Sequence, residues 1–442
     1  MNNPDLGENN HSPPITAFDP GNIDERDRKA ESFLTHDAVS AKPRNSILYS
    51  NAEDTIFVVD ILKSIVRAQS LPQQLVLDLQ LSSCPALVAP YPSTEPRSEK
   101  ARNKLLDRLA HSAEHIELHD EYSRLITDAL ERLKEHYVVE LNRPLSFCLP
   151  RAVKVEGKTE NNIGKPSKRK AESESIPYYD ANPVSPSLTL LENHSKSSSK
   201  DTQTGTTLPP LTSVLLGPID TSISTLSTFH TACLAHPRAT NGRFPLVVLD
   251  PPWPNKSVSR SSSYATSPTL VDLTETLQGL GLEEHIADKG FVACWVTNNP
   301  TIRDAVIGEG GLFEAWDVEL VEEWIWCKVT IKGEPVTDVN GIWRKPYEAC
   351  LIGKRTGNID KQRTVKRRIV LGVPDLHSRK PCLKGLAARL LLEDKDQKES
   401  SCAALELFAR YAVAGWMSWG LEATKYNHAD WWTKEAAVSG TN

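Results

Sequence analysis

The 442-residue chain is long enough for about three units of roughly 150 residues and for a substantial core. Its 39% hydrophobic and 24% charged residues are too polar for one uninterrupted globule, so folded units share the chain with solvated stretches. With 51 Lys+Arg against 57 Asp+Glu, the formal charge of -6 excludes a globally basic nucleic-acid binder and confines any polyanion site to a local patch.

The opening residues, MNNPDLGENNHSPP, have neither a basic start nor an apolar centre, and no later run approaches the roughly 18 apolar residues of a membrane span. A protein without the usual secretory leader is expected. Residues 1–44 are rich in Asn, Asp, Pro and Ser without hydrophobic period and read as a disordered tail. From Ser46 the cluster Ile56, Phe57, Val58, Val59 and the alternating LVLDLQL of 75–81 predict a small α/β unit over 45–154. Within it, 100–138 carries Leu105, Leu109, Ile116, Leu118, Leu125, Ile126, Leu130 and Leu133 at helical spacing, predicting one or two amphipathic helices.

Residues 155–206 are polar and low in complexity, a linker or surface loop. Their basic run Lys165, Lys168, Arg169, Lys170 suits a nuclear import receptor, although solvated charge explains it as well. A connecting segment covers 207–240. Over 241–434 the apolar strands FPLVVLD, FVACWVT, VEEWIWCKV, YEACLIG and ALELFAR alternate with helix-length segments, the clearest being LKGLAARLLLE. This pattern predicts a Rossmann-like sheet with parallel crossovers, followed by a short tail over 435–442.

The residues with chemistry follow the first of these strands: Asp250, Pro251, Pro252 and Trp253. Open α/β sheets bind ligands at the carboxyl ends of their strands. The exocyclic amine of adenine is a poor nucleophile, so alkylating it requires acceptors that converge on the nitrogen and draw its hydrogens. A carboxylate accepts only, and a prolyl carbonyl accepts from a backbone whose φ is fixed. Trp253 offers a stacking face, worth about 1–3 kcal/mol per base. A plain strand-end turn stiffened by Pro-Pro is the alternative reading of the tetrapeptide.

These residues resemble the adenine N(6)-methyltransferases with the D-P-P-W signature, the family of the messenger-RNA N(6)-adenosine methyltransferases. The continuation through Asn255, Lys256, Ser257, Val258, Arg260, Ser261 and Tyr264 is similar to the methyltransferase-like four branch. So are Lys345-Pro346-Tyr347-Glu348 before an apolar strand, VPDLHSRKP at 373–381, and LELFAR with GWMSWG at 405–420. The resemblance implies methyl transfer from S-adenosylmethionine to the 6-amino group of adenine, without metal. The substrate it implies is RNA, a small nuclear RNA by analogy with the branch, with DNA adenine as the alternative and the nucleus as location.

By the same resemblance Asp250 and Pro251 lie beside the cofactor's methionine part, Lys380 neutralises its carboxylate, and Phe408 and Arg410 border its ribose. Substrate contacts fall to Asn255, Lys256, Ser257, Arg260, Lys345, Tyr347 and Glu348. The chain departs from the family at three places. Tyr411 stands where Asn is usual, Leu421 follows Gly420 in place of Asn, and Arg379 replaces a histidine. These departures motivate a rival reading, a nucleic-acid-binding pseudoenzyme or scaffold subunit with weakened cofactor binding.

Other features are read more plainly. Lys354, Arg355, Lys361, Arg363, Lys366, Arg367 and Arg368 form either a polyanion groove or a solvated face. Trp295, Trp324, Trp326 and Trp343 are expected in the core. His285, His377 and His428 lack metal-ligand spacing and are expected in surface or capping roles. The eight cysteines (Cys84, Cys148, Cys233, Cys294, Cys327, Cys350, Cys382, Cys402) are scattered and read as mostly buried, reduced thiols of an intracellular protein.

Overall fold

The computed structural model describes residues 46–71, 79–93, 95–96, 98–100, 103, 113–136, 147–153, 176, 178–180, 188–191, 205–254, 269–342, 344–355, 364–376, 379–391 and 403–434. The expected tails at 1–44 and 435–442, most of 155–206 with its basic run, Trp343, His377 and Cys402 lie outside the described residues.

The strands are β1 (Ile47–Ser50), β2 (Ile56–Val59), β3 (Leu79–Ser83), β4 (Ala152–Val153), β5 (Tyr178–Asp180), β6 (Leu188–Leu191), β7 (Gly205–Leu208) and β8 (Ser213–Leu216). They continue as β9 (Phe244–Leu249), β10 (Ile286–Val296), β11 (Val318–Lys328), β12 (Tyr347–Arg355), β13 (Lys366–Gly372), β14 (Leu405–Leu407), β15 (Met417–Gly420) and β16 (Trp432–Lys434). Eleven of them form one sheet in the order β1-β2-β13-β11-β12-β10-β9-β14-β15-β8-β5. From β2 to β8 the pairings are parallel except those of β12, which runs antiparallel between β10 and β11. The front strands β1 and β2 therefore extend the sheet that the later strands build.

Both faces of this sheet are buried, which is why its strands read as unbroken apolar runs. Val247, Leu249, Val292, Cys294, Ile325, Cys327, Leu351 and Ile369 point to one face, packed with residues of the helices Ala113–Lys134, Ile223–Ala235, Leu270–Gln278 and Pro300–Ile307. Leu246, Val248, Ala293, Trp295, Trp324, Trp326, Cys350 and Val370 point to the other, covered by Ile61–Ala68 and Lys384–Leu390. Trp295, Trp324 and Trp326 are core residues, 4%, 1% and 4% exposed. Five of the free cysteines are buried.

The helix Ala113–Lys134 departs from its expected face. Its buried stripe is His115, His119, Tyr122, Ile126, Ala129 and Leu133, while Ile116 is exposed. Two histidines thus occupy positions that a hydrophobicity count assigns to solvent. They are satisfied there by a chain of ring nitrogens: His115 Nε2 to His119 Nε2 at 2.8 Å, and His119 Nδ1 to the Tyr347 hydroxyl at 2.8 Å. Burial, with the His115 charge next, pushes the His119 pKa down to about 3. His285 is also buried rather than at the surface, its Nδ1 bonded to Gly242 O at 2.7 Å. His428 caps the turn Ala429–Trp431, accepting from the Asp430 N–H, but is itself 4% exposed. Among the described residues no helix is long and apolar enough to cross a membrane.

Candidate active site

β9 lies where the chain order reverses, with β10 on one side and β14 on the other, so the cleft beyond its carboxyl end is where an open α/β sheet binds ligand. Val248 faces the cleft, and strand alternation sends Asp250, two residues on, the same way. Pro251 and Pro252 then turn the chain, with the Trp253 N–H donating to Pro251 O at 2.8 Å. Trp253 is 3% exposed, packed on the opposite face of the sheet, and its indole N–H donates to Trp295 O at 2.7 Å. It braces the loop and presents no open stacking face. Asn255, Lys256, Ser257 and Arg260 lie outside the described residues.

Three distant segments meet at Asp250. The Lys380 ammonium lies 3.3 Å from Asp250 Oδ1 and 2.7 Å from Glu348 Oε2. Lys328, the last residue of β11, holds the other oxygen of Glu348. Burial by itself would raise the Glu348 pKa, but Lys380 and Lys328 outweigh it and hold the carboxyl below its ordinary value. Burial likewise opposes the Lys380 charge, and Asp250 and Glu348 overcome it, so its pKa is raised. One ammonium thus bridges the side chains of Asp250 and Glu348. The Asp250 side chain remains 27% exposed.

Tyr347 alternates away from Glu348 and is buried against His119, with its hydroxyl outside the cleft. Lys345 is half-buried, and burial lowers its pKa despite Asp120, Asp338 and Glu95 nearby. The expected substrate run K-P-Y-E thus divides, with Glu348 brought to the cleft and Tyr347 used in packing.

The opposite wall is built by β14 and the turn after it. Glu406 pairs in register with Val248 and so shares its face. Its Oε2 is buried without a hydrogen-bond partner among the described residues. Burial, with the Asp250 charge next, pushes its pKa up to about 8. Phe408 follows with φ 59°, a left-handed conformation that costs a bulky residue about 1–3 kcal/mol. That turn packs directly on Gly420, where an added Cβ would lie 3.2 Å from Ala409 N and O and 3.3 Å from Phe408 C. Arg410 lines the cleft, 3.8 Å from Glu422 Oε2.

The three departures can now be located. Tyr411 is 6% exposed in the cleft wall, and burial, with Cys382 and Glu406 beside it, raises its phenol pKa. Leu421 is 40% exposed just after β15. Arg379 is 1% exposed and lines the cleft next to Lys380. Sequence reasoning missed Lys328 and Glu406. The available signal for Glu406 was a lone acid inside an apolar strand beside the switch point.

Among the described residues, the arginines of the basic run between β12 and β13 are taken up by internal partners. Arg355 donates to Glu283 O and Ile286 O, Arg367 pairs with Glu323 and Glu121, and Arg368 forks onto Glu322. Lys354 pairs with Phe291, which pairs with Leu246 near the start of β9, whereas Glu348 lies beyond the Ala349–Val296 pair. The run is thus at the end of the sheet remote from Asp250. Lys361 and Arg363 lie outside the described residues.

A mostly parallel sheet of this topology with a charged strand-end cleft defines a Rossmann-like α/β domain. Residues 244–422 match the MT-A70 family model. It is 42% identical over 192 residues to a protein of Cryphonectria parasitica named N6-methyladenosine RNA methyltransferase MTA1, covering 43% of this chain and 55% of that one. A protein of the same name from Pyricularia oryzae is 28% identical over 415 residues, 89% of this chain and 97% of its own. The human N(6)-adenine-specific methyltransferase METTL4 is 32% identical over 256 residues, 55% of this chain and 49% of its own. The chain thus spans about half the length of the first and third of these relatives.

The cleft also fits the cofactor on which this family generally depends. Its walls hold Glu406 Oε2, a buried polar atom without a partner among the described residues, together with the Phe408 turn that Gly420 admits.

Proposed function

We propose that this chain is an S-adenosylmethionine-dependent methyltransferase acting on the 6-amino group of adenine in RNA. The observation that carries the reading is the Asp250 carboxyl group, oriented by Lys380 at the end of β9 and still partly open to a ligand. The cofactor supplies a methyl group on a positively charged sulfur. The protein supplies the rest: Asp250 and the Pro251 carbonyl accept the hydrogens of the amine and aim its lone pair. Lys380, 3.3 Å from Asp250 Oδ1, fixes the direction of that side chain and leaves its remaining acceptor capacity for the amine. The amine loses its proton after alkylation, so no separate base is required.

RNA is favoured over DNA because two of the relatives carry RNA methyltransferase names. An adenine in a duplex has to leave the stack to reach a carboxylate at the base of this cleft. Within this reading the protein works in the nucleus, on the strength of the basic run at 165–170.

The test is incubation of the purified chain with methyl-labelled cofactor and adenine-containing RNA or DNA, with N(6)-methyladenine read by mass spectrometry. Product on RNA, lost in Asp250→Ala, is expected. No product on any adenine polymer from a folded, cofactor-binding protein would overturn the reading.

A further inference from the structure

Glu406 is an acid of the cleft wall that the proposed reaction leaves unused. It stands in register between Val248 of β9 and Ser418 of β15, and register partners share a face. Its neighbours across the sheet are therefore an aliphatic side chain and a fully buried hydroxyl, Ser418 Oγ, which has no hydrogen-bond partner among the described residues. Glu406 Oε2 is likewise buried and unpartnered there. The residue as a whole is half-buried and borders the cleft.

The cations of the cleft are engaged elsewhere. Lys380 is shared by Asp250 and Glu348, Arg379 is paired with Asp375, and Arg410 lies 3.8 Å from Glu422. The titratable groups beside Glu406 are Asp250, Cys382 and Tyr411. Burial pushes the Cys382 thiol up to about 12 and raises the Tyr411 phenol well above its ordinary value, so both are neutral near pH 7. Burial, with Asp250 next, pushes the Glu406 pKa up to about 8. Ionising a carboxyl in such a place leaves a charge with little water and no counter-ion.

The cofactor's sulfur is positively charged before methyl transfer and neutral after it. To react with an amine held at Asp250, the methyl carbon has to come within about 3–3.5 Å of that nitrogen, which brings the charge into the cleft that Asp250 and Glu406 share. A cation there favours the carboxylate over the carboxylic acid. We propose that Glu406 stays protonated until the positively charged sulfur enters the cleft and then releases its proton to solvent, so that the site holds the methyl donor more tightly than the neutral sulfide product. The O–H bond of Glu406 breaks and the proton passes to the buffer; once the positive charge is gone, the carboxylate takes a proton back and the product is held less firmly. The assignment rests on the methyltransferase reading above and adds to it a residue that separates cofactor from product.

The experiment is calorimetric titration of the full chain with S-adenosylmethionine and S-adenosylhomocysteine in two buffers of different ionisation enthalpy, which counts the protons released on binding. At about pH 7 wild type is expected to release more protons with the first ligand than with the second, and the affinity ratio between them should rise about fivefold from about pH 7 to about pH 8.5. Glu406→Gln keeps the shape of the side chain and cannot titrate, so it measures what the ligands' own groups contribute. The excess of released protons should fall by most of one proton in this variant, and the ratio should lose most of its rise. A purely structural role would change both affinities and leave the proton excess alone, so an equal excess in wild type and folded Glu406→Gln overturns the proposal. If Glu406→Gln does not fold, the same comparison with Glu406→Met decides. Wild type that binds neither ligand overturns the cofactor reading itself, a result distinct from binding both with equal proton release.

Discussion

Lys380 and Asp250, separated by 130 residues in the chain, face each other at 3.3 Å across the mouth of the cleft. The contact joins the loop after β13 to the loop after β9. Because Glu348 shares the same ammonium at 2.7 Å, the three motifs act as one electrostatic unit.

Removing the acceptor should separate chemistry from folding. Asp250→Asn is expected to lower methyl transfer about 10²–10³-fold, the scale of losing one preorganised polar group aimed at the reacting centre. Cofactor affinity and melting temperature should change little. Single-turnover kinetics beside calorimetry checks this, and equal losses in both would contradict the assigned role.

Lys380→Ala should do more damage than either carboxylate variant, since it leaves Asp250 and Glu348 without their shared cation. About 2 kcal/mol of stability is expected to be lost, less than for a sealed pair because all three groups keep partial contact with water. Urea denaturation of Lys380→Ala and Glu348→Gln, compared with the double variant, measures the coupling.

The two acids of the cleft should titrate with opposite signs. The Glu348 pKa is lowered, so its contribution is present above the ordinary value of 4.5 and is lost as pH falls through the folded value. The Glu406 pKa is raised to about 8, so the folded state holds an extra proton between 4.5 and about 8. Stability therefore declines as pH rises across that window and levels off above it. Glu406→Gln should remove this decline, raising the melting temperature by several degrees at about pH 8.5 and little at about pH 5. A parallel pH profile for the variant and wild type would show that Glu406 does not titrate in this range.

Glu323 tests the packing beneath the sheet. Its fully buried carboxylate accepts from Tyr122 at 2.9 Å and from Arg367 Nε at 2.7 Å, and it also pairs with Arg303. Glu323→Ala strands Arg303 and leaves Arg367 only its pair with Glu121, and should cost about 3–5 kcal/mol. Replacing Tyr122 by Phe loses one neutral donor and should cost about 1–2 kcal/mol. Comparable losses for the two would mean that the ion pairs contribute nothing special.

Gly420→Ala addresses the cofactor wall without touching a polar group. The new methyl meets the backbone of Phe408 and Ala409 at 3.2–3.3 Å, which backbone cannot yield cheaply. A drop in cofactor affinity with an intact fold is expected, read by calorimetry.

Much of the sheet was legible in the chain. Strands buried on both faces must be largely apolar, and β9, β10, β11 and β12 stand out for that reason. The D-P-P-W turn and the K-P segment were legible as well, because a proline after an acid or a lysine changes backbone chemistry locally. The helix Ala113–Lys134 was legible as a helix but not by its face, since His115 and His119 are buried by pairing with each other and with Tyr347.

What only tertiary structure decided is which charges meet. Arg355, Arg367 and Arg368 read as a basic patch, yet the sheet register sets them against Asp317, Glu323 and Glu322. Arg379 read as a defect, yet β3 and the segment after β15 converge to bury it against Asp375 and Tyr426. Local sequence sets backbone preference and periodicity over a few residues. A charge, however, takes its meaning from partners that folding brings from hundreds of residues away, and from the water that folding removes around it.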